Sequence, residues 1–189
     1  MGRSHYAKSL ELARREDFLS MTASVLWQSA DLVLLEGDFT EAIAMYREGA
    51  QLFREWGYQG GVADILCRLG QIALRQNDTI NAQQFYAESL AICKELEHSA
   101  IQIDGLLDCI LGFAGIAGIS GQDMRAANLF GAHDAAADRH KRKLTDFTHQ
   151  VIDPIIAAVR EHLGDERFQA EWKVGRKMTL EQALELAHE

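Results

Sequence analysis

The most constraining feature of this chain is an internal repeat. Residues Leu26–Gly57, LWQSADLVLLEGDFTEAIAMYREGAQLFREWG, align without a gap onto Leu66–Glu97, LCRLGQIALRQNDTINAQQFYAESLAICKELE, at an offset of 40 residues. Leu26 meets Leu66, Ala30 meets Gly70, Gly37 meets Asn77, Ala42 meets Ala82 and Tyr46 meets Tyr86. One step back places Tyr6 at the same position, in what reads as the second half of an earlier copy. A third copy, ILGFAGIAGISGQDMRAANLFGAHDAA, follows at an offset of 44, with Gly121, Ala126 and Phe130 in register and the slip absorbed between Ser99 and Gly105. A unit of this length cannot bury its own apolar face, so copies in series must stack into one continuous core.

Each copy reads as helix, tight turn, helix, because apolar residues recur at i, i+3, i+4 and i+7 on both sides of the turn. Gly37 and Asn77 suit the left-handed conformation that ends a helix, and Asp38 and Asp78 suit the cap of the next. Small residues at Ala30, Gly70, Ala42 and Ala82 let the two helices approach, and Tyr46, Tyr86 and Phe130 fill the gap toward the following copy. One proline in 189 residues fits a nearly all-helical chain.

The spacing of small residue, turn glycine, alanine and aromatic resembles the tetratricopeptide repeat, with RLGQIALRQNDTINAQQFYAESL the nearest stretch. The resemblance covers about residues 6–137, although the period exceeds the usual ~34 residues and the closing proline is absent. It implies an all-α, right-handed solenoid of TPR-like hairpins. Residues 1–21 would form the second helix of a partial repeat, 22–137 the repeats and 138–189 a helical C-terminal cap.

The tail explains itself by the need for a cap. FQAEWKVGRKMTLEQALELAHE is too apolar for a free end, and the last hairpin of a solenoid exposes a face that must be covered. Trp172, Met178 and Leu184 are expected to pack on the helix around Leu129–Ala137. Thr179 and Gln182 form a Thr-x-x-Gln capping box, and Asp153-Pro154 is expected to start a fresh helix within Thr145–Gly164. Ala126, Ala127, Gly131 and Ala132, then Trp172, Gly175, Arg176, Met178, Thr179, Leu180, Glu181 and Ala183, are similar to the C-terminal ends of large bacterial regulators. In those, a STAND-type ATPase module precedes tetratricopeptide-like repeats; relatives include LuxR-type and activator-type transcriptional regulators and adenylate-cyclase-linked proteins. The resemblance implies the sensor or scaffold end of such a regulator.

Several functions are disfavoured. The net charge of −9 opposes generic nucleic-acid binding, which needs a basic footprint. The one basic cluster, Arg139–Lys143 (RHKRK), is short and reads first as a solvated helix end, second as a contact for phosphate or an acidic partner. No P-loop occurs, and the glycines of GFAGIAGISG follow no strand, so they read as close helix packing. His133, Asp134, Asp138 and His140 lack metal-ligand spacing, and the carboxylates offer no acid–base pair. Neither a metal, a cofactor nor an enzymatic activity is expected. Cys67, Cys93 and Cys109 fall inside apolar helical patterns and read as buried thiols of a reducing compartment. The start lacks an apolar signal segment, and the run Cys109–Ile119 is too short to span a bilayer, so a cytoplasmic protein without membrane contact is expected.

What remains is binding on the concave surface, lined by the first helix of each hairpin. Outward positions there are expected at Ser24, Trp27, Asp31 and Leu35, at Asp64, Cys67, Arg68, Gln71 and Arg75, and at Asp108, Leu111 and Gly115. The candidate site is Trp27, Asp31, Asp64, Arg68, Gln71 and Arg75, with Trp27 either an exposed anchor or part of the core. The expected function is a non-enzymatic interaction or sensor module of a bacterial transcriptional or signalling regulator. Its partner would be a protein, a peptide or an effector, including another part of the parent regulator. Structural self-association as a homodimer is the alternative.

Overall fold

In the computed structural model, residues 2–15, 18–96 and 100–188 are described, and ten α-helices account for nearly all of them. Helix α1 (Gly2–Arg15) leads into three hairpins: α2 (Leu19–Leu35) with α3 (Phe39–Trp56), α4 (Gln59–Arg75) with α5 (Thr79–Glu95), and α6 (Ala100–Ile119) with α7 (Asp123–His140). Three more helices follow, α8 (Asp146–Leu163), α9 (Asp165–Gly175) and α10 (Leu180–His188). The side chain of Tyr6 lies outside the described residues, as does the beginning of the expected slip at Ser99.

The turns form as the sequence predicts. Gly37, Asn77 and Gly121 take the left-handed conformation, with φ of 88°, 57° and 75°. Asp38 accepts from the Glu41 amide at 3.0 Å and Asp78 from the Asn81 amide at 3.1 Å, each satisfying an amide the helix start leaves free. Ala30, Ala42, Ala82 and Ala126 are fully buried between paired helices. The Tyr86 ring lies between Gly70 of its own hairpin and Gly112 of the next, where any side chain would overlap it.

The repeat also appears on the outer surface. Arg14 of α1 pairs with Glu48 of α3, and Arg54 of α3 pairs with Glu88 of α5 at 2.7 Å. Both members of the second pair sit 40 positions after those of the first. The recurrence puts Arg14 of α1 at the repeat position that Arg54 holds on α3. Each pair is exposed, so it marks register more than it stabilises.

Two expectations need correction. Pro154 does not start a helix; it lies inside α8, whose cap is Thr145, accepting from the Thr148 amide at 3.2 Å. The helix tolerates Pro154 because Gln150, Asp153 and Pro154 are exposed and water can serve the carbonyl that loses its amide partner. Second, Ile101–Ile119 of α6 is long and apolar enough to cross a membrane by length and composition. Here it is the central core helix: 67% of the stretch is buried, with α4, α5, α7 and α8 packed around it.

Candidate functional site

The expected cap is present, and it does more than close the end. Helix α9 crosses α7 with backbone against backbone. A methyl at Gly131 would overlap the Trp172 carbonyl, and one at Gly175 would overlap the Asn128 carbonyl. Trp172 Nε1 donates to Asp134 Oδ2 at 3.0 Å, with the Arg176 guanidinium 4.7 Å from the centre of its ring. The Thr179–Gln182 capping box forms reciprocally, at 2.9 and 3.2 Å. Arg125 of α7 donates to the carbonyls of Leu186 and Ala187, both at 2.9 Å, and so ties down the last turn of α10.

Helix α8 takes a different course and lies on the inner face of the array, against α6 and the edge of α4. Val159, Ile152, Val151 and Phe147 form its buried stripe. Gly115 and Gly118 of α6 make the room: a Cβ at Gly115 would stand 2.9 Å from Leu74 and 3.4 Å from Ile152, and one at Gly118 would stand 2.6 Å from Ile155. The glycine run of α6 is thus a packing surface, as its lack of a strand indicated. Cys67, Leu111 and Gly115, expected to face outward on the concave surface, are buried. Cys67 turns toward Ser89 of α5, with Sγ and Oγ 3.2 Å apart, and α8 covers Gly115.

Polar groups pin the start of α8 to this face. Arg142 donates to Asp108 Oδ2 at 2.6 Å and also to the Asp104 carbonyl. Burial works against the Arg142 charge, but Asp108 and Asp104 more than restore it and hold the guanidinium protonated above its ordinary range. Asp64 stands in the same group. Its pKa is pushed up to about 6, first by burial and then by the nearby Asp108 charge, with Arg68 and Arg142 offsetting part of the shift.

What stays open on the inner face is a cleft of about 410 Å³ between the end of α2 and the start of α8. Asp31, Leu34, Leu35 and Arg68 line one side, and Leu144–Phe147 the other. Arg68 organises it, donating to Gln71 Oε1 at 3.2 Å and to Thr145 Oγ1 at 3.4 Å, with its Nε 3.7 Å from Asp31 Oδ1. The Tyr46 hydroxyl donates to the same Asp31 oxygen at 2.5 Å. Burial and the Asp31 charge raise the Tyr46 pKa far above its ordinary value, so the phenol stays a donor.

The structure therefore brings Asp31, Arg68 and Gln71 into one network. Gln71 is buried and acts behind the cleft. Asp64 belongs to the neighbouring Asp108–Arg142 group, and Arg75 is exposed at the end of α4 outside the cleft lining. Trp27 is half-buried, edge-on to Phe53 at 6.2 Å between ring centres, and its buried indole N–H has no partner among the described residues. The sequence reading missed Leu34, Leu144, Thr145, Asp146 and Phe147. The signal for the last four was available in the amphipathic start of α8, but not the surface it would meet.

A stack of helical hairpins with tight left-handed turns, closed by a helical cap, defines a helical-repeat protein. Residues 21–95 match the family model of the tetratricopeptide repeat, and the fold is an all-α, TPR-like solenoid. The matched stretch ends with α5; the third hairpin continues the stack beyond it. Searches of curated proteins and of solved structures find no match to the chain.

Proposed function

We propose that this chain is a non-enzymatic, cytoplasmic interaction module of a bacterial transcriptional or signalling regulator, and that its protein or peptide partner seats in the α2–α8 cleft. TPR repeats generally mediate protein–protein interaction. The observation that carries the reading is the cleft: it is the part of the inner groove that α8 leaves uncovered, and it joins apolar walls to an ordered Asp31–Arg68 pair. Leu35 is 60% exposed on its wall, an apolar contact without an internal role. The regulator context rests on the C-terminal resemblance, through Gly131, Trp172, Gly175 and the Thr179 capping box. The net charge of −9 supports a partner other than nucleic acid.

The test compares wild type with Leu35→Glu and Arg68→Glu in affinity capture from a bacterial lysate, read by quantitative mass spectrometry. Retention of one protein by wild type, lost in both variants while their helicity is unchanged, is the expected result. A binder retained equally by all three removes the cleft from the reading.

A second reading, self-association, has its own observation. Leu12, Phe18 and Met21 are about half exposed near the α1–α2 junction. If that edge is a homodimer contact, sedimentation shows a concentration-dependent mass that Phe18→Glu abolishes; a constant monomer mass over a hundredfold dilution excludes it.

A further inference from the structure

The α2–α8 cleft has a bias of charge that its apolar walls do not show. Among the described residues lining it, Arg68 is the one cation, and it is already engaged. Its Nε lies 3.7 Å from Asp31, and its Nη1 donates to Gln71 and Thr145. Asp146, exposed in the first turn of α8, also lines the cleft and has no ion-pair partner among the described residues.

One helical turn before Arg68 on α4 stands Asp64. Solvent reaches part of its carboxylate, which has no hydrogen-bond or ion-pair partner among the described residues. The two arginines that act on it are both taken, Arg68 by Asp31 and Arg142 by Asp108 at 2.6 Å. Asp104 also acts on it; that side chain is 52% exposed and no nearer than 3.8 Å to the Arg142 Nε. Burial and the Asp108 charge oppose the ionisation of Asp64, and a cation brought beside it offsets both.

The charges of this part of the groove therefore do not balance. Asp31, Asp64, Asp104, Asp108 and Asp146 stand against Arg68 and Arg142, an excess of three negative charges. Widening the count at the edges to Glu36, and to Arg75, Lys141 and Lys143, still leaves an excess of one negative charge. More telling than the sum is which groups are free: both arginines of the face are held by carboxylates, and the carboxylates left over are Asp64 and Asp146. Apolar walls beside unpaired carboxylates favour an occupant that is apolar and cationic at once.

We propose that the segment docking in this cleft is a basic peptide stretch of the partner protein, with a bulky apolar side chain among Leu34, Leu35, Leu144 and Phe147 and a neighbouring lysine or arginine on Asp64. A further cation reaches Asp146. This chemistry rests on the cleft being the docking site, as proposed above, and adds the sign of what docks there. The same carboxylates reject an acidic segment.

Selection of a displayed random-peptide library against the full chain, with Leu35→Glu as the counter-target, tests the two levels separately. Expected are peptides that bind wild type but not Leu35→Glu and that carry lysine or arginine beside leucine, phenylalanine or tryptophan. If no peptide distinguishes the two proteins, the cleft reading falls and this chemistry with it. If cleft-dependent peptides emerge that are neutral or acidic, the chemistry alone is overturned. With the most enriched basic peptide, fluorescence anisotropy should show binding weakened by about tenfold in Asp64→Asn. Glu185→Gln, the same change of charge at an exposed position of α10, should alter it less than about twofold. Wild-type affinity should fall as pH drops below about 6, where Asp64 takes up its proton, and Asp64→Asn should lack that step. Equal weakening by the two variants would mean only general attraction to a chain of charge −9, and overturns the contact with Asp64.

Discussion

The ionisation of Asp64 is opposed by its surroundings, and the consequence is measurable. Its carboxyl titrates near 3.8 in an unfolded chain and near about 6 in the fold. Between those values the folded protein holds a proton that the unfolded chain releases. Acid therefore favours folding through this residue: its contribution is fully present below pH 3.8, declines as pH rises toward 6 and is then lost. Asp64→Asn keeps the shape and removes the ionisation. It is expected to stabilise the protein at pH 8 by about 1–2 kcal/mol, less than the full shift implies because solvent reaches part of the group. At pH 4 the gain should be near zero. Urea unfolding of both proteins at the two pH values checks this, and a difference independent of pH would assign the effect to packing. Tyr46→Phe acts in the other direction. It removes the donor to Asp31, leaving that carboxylate to Arg68 alone, and should cost about 1–2 kcal/mol in the same assay.

Between elements, the contact most sensitive to a single atom is the α7–α9 crossing. Gly131 and Gly175 each face a carbonyl of the other helix, so a side chain at either position meets backbone, which cannot rotate away. Gly131→Ala is expected to cost about 3 kcal/mol, at the upper end of overpacking penalties. Amide exchange should rise through α9 and α10 while α2–α5 keep their protection. Unchanged exchange in α9 would show that the crossing can widen without loss. These two glycines were visible in the sequence as part of a similarity to regulator C-termini, but their reason was not. Periodicity reports which face of a helix is apolar; it does not report how near the next backbone comes. Turns and caps were legible because their causes are local, as at Gly37, Asn77, Asp38 and Asp78. Trp27 was undecidable for the same reason in reverse. Its spacing from Asp31 and Leu34 is the same whether it faces solvent or Phe53.

At the scale of the whole molecule, α8 changes what kind of solenoid this is. Hairpins stacked in series touch only their neighbours, and their stability is close to a sum of local terms. Here the chain returns from beyond the third hairpin and lays α8 on α6 and α4, two hairpins at once. That return is why Gly115, a concave position read from the sequence, is not available. Nothing in the sequence around Gly115 says that a helix about 40 residues downstream will cover it, and nothing around Cys67 says that its thiol turns toward Ser89 of α5. The return also narrows the accessible groove to the α2 end, where Asp31 and Arg68 meet Leu144–Phe147. The bridge predicts shared stability. Ile152 is 1% exposed and reaches Gly115, beside Leu74 of α4. Ile152→Ala should cost about 2–4 kcal/mol. Its effect on amide exchange should appear in α4 and α6 together with α8, while the α2–α3 hairpin changes less. If faster exchange is confined to α8, the bridge carries no coupling, and the groove can be opened at little cost to the repeats beneath it. In that event α8 is a detachable cover, and the binding surface extends to Gln71 and Asp108 when it leaves.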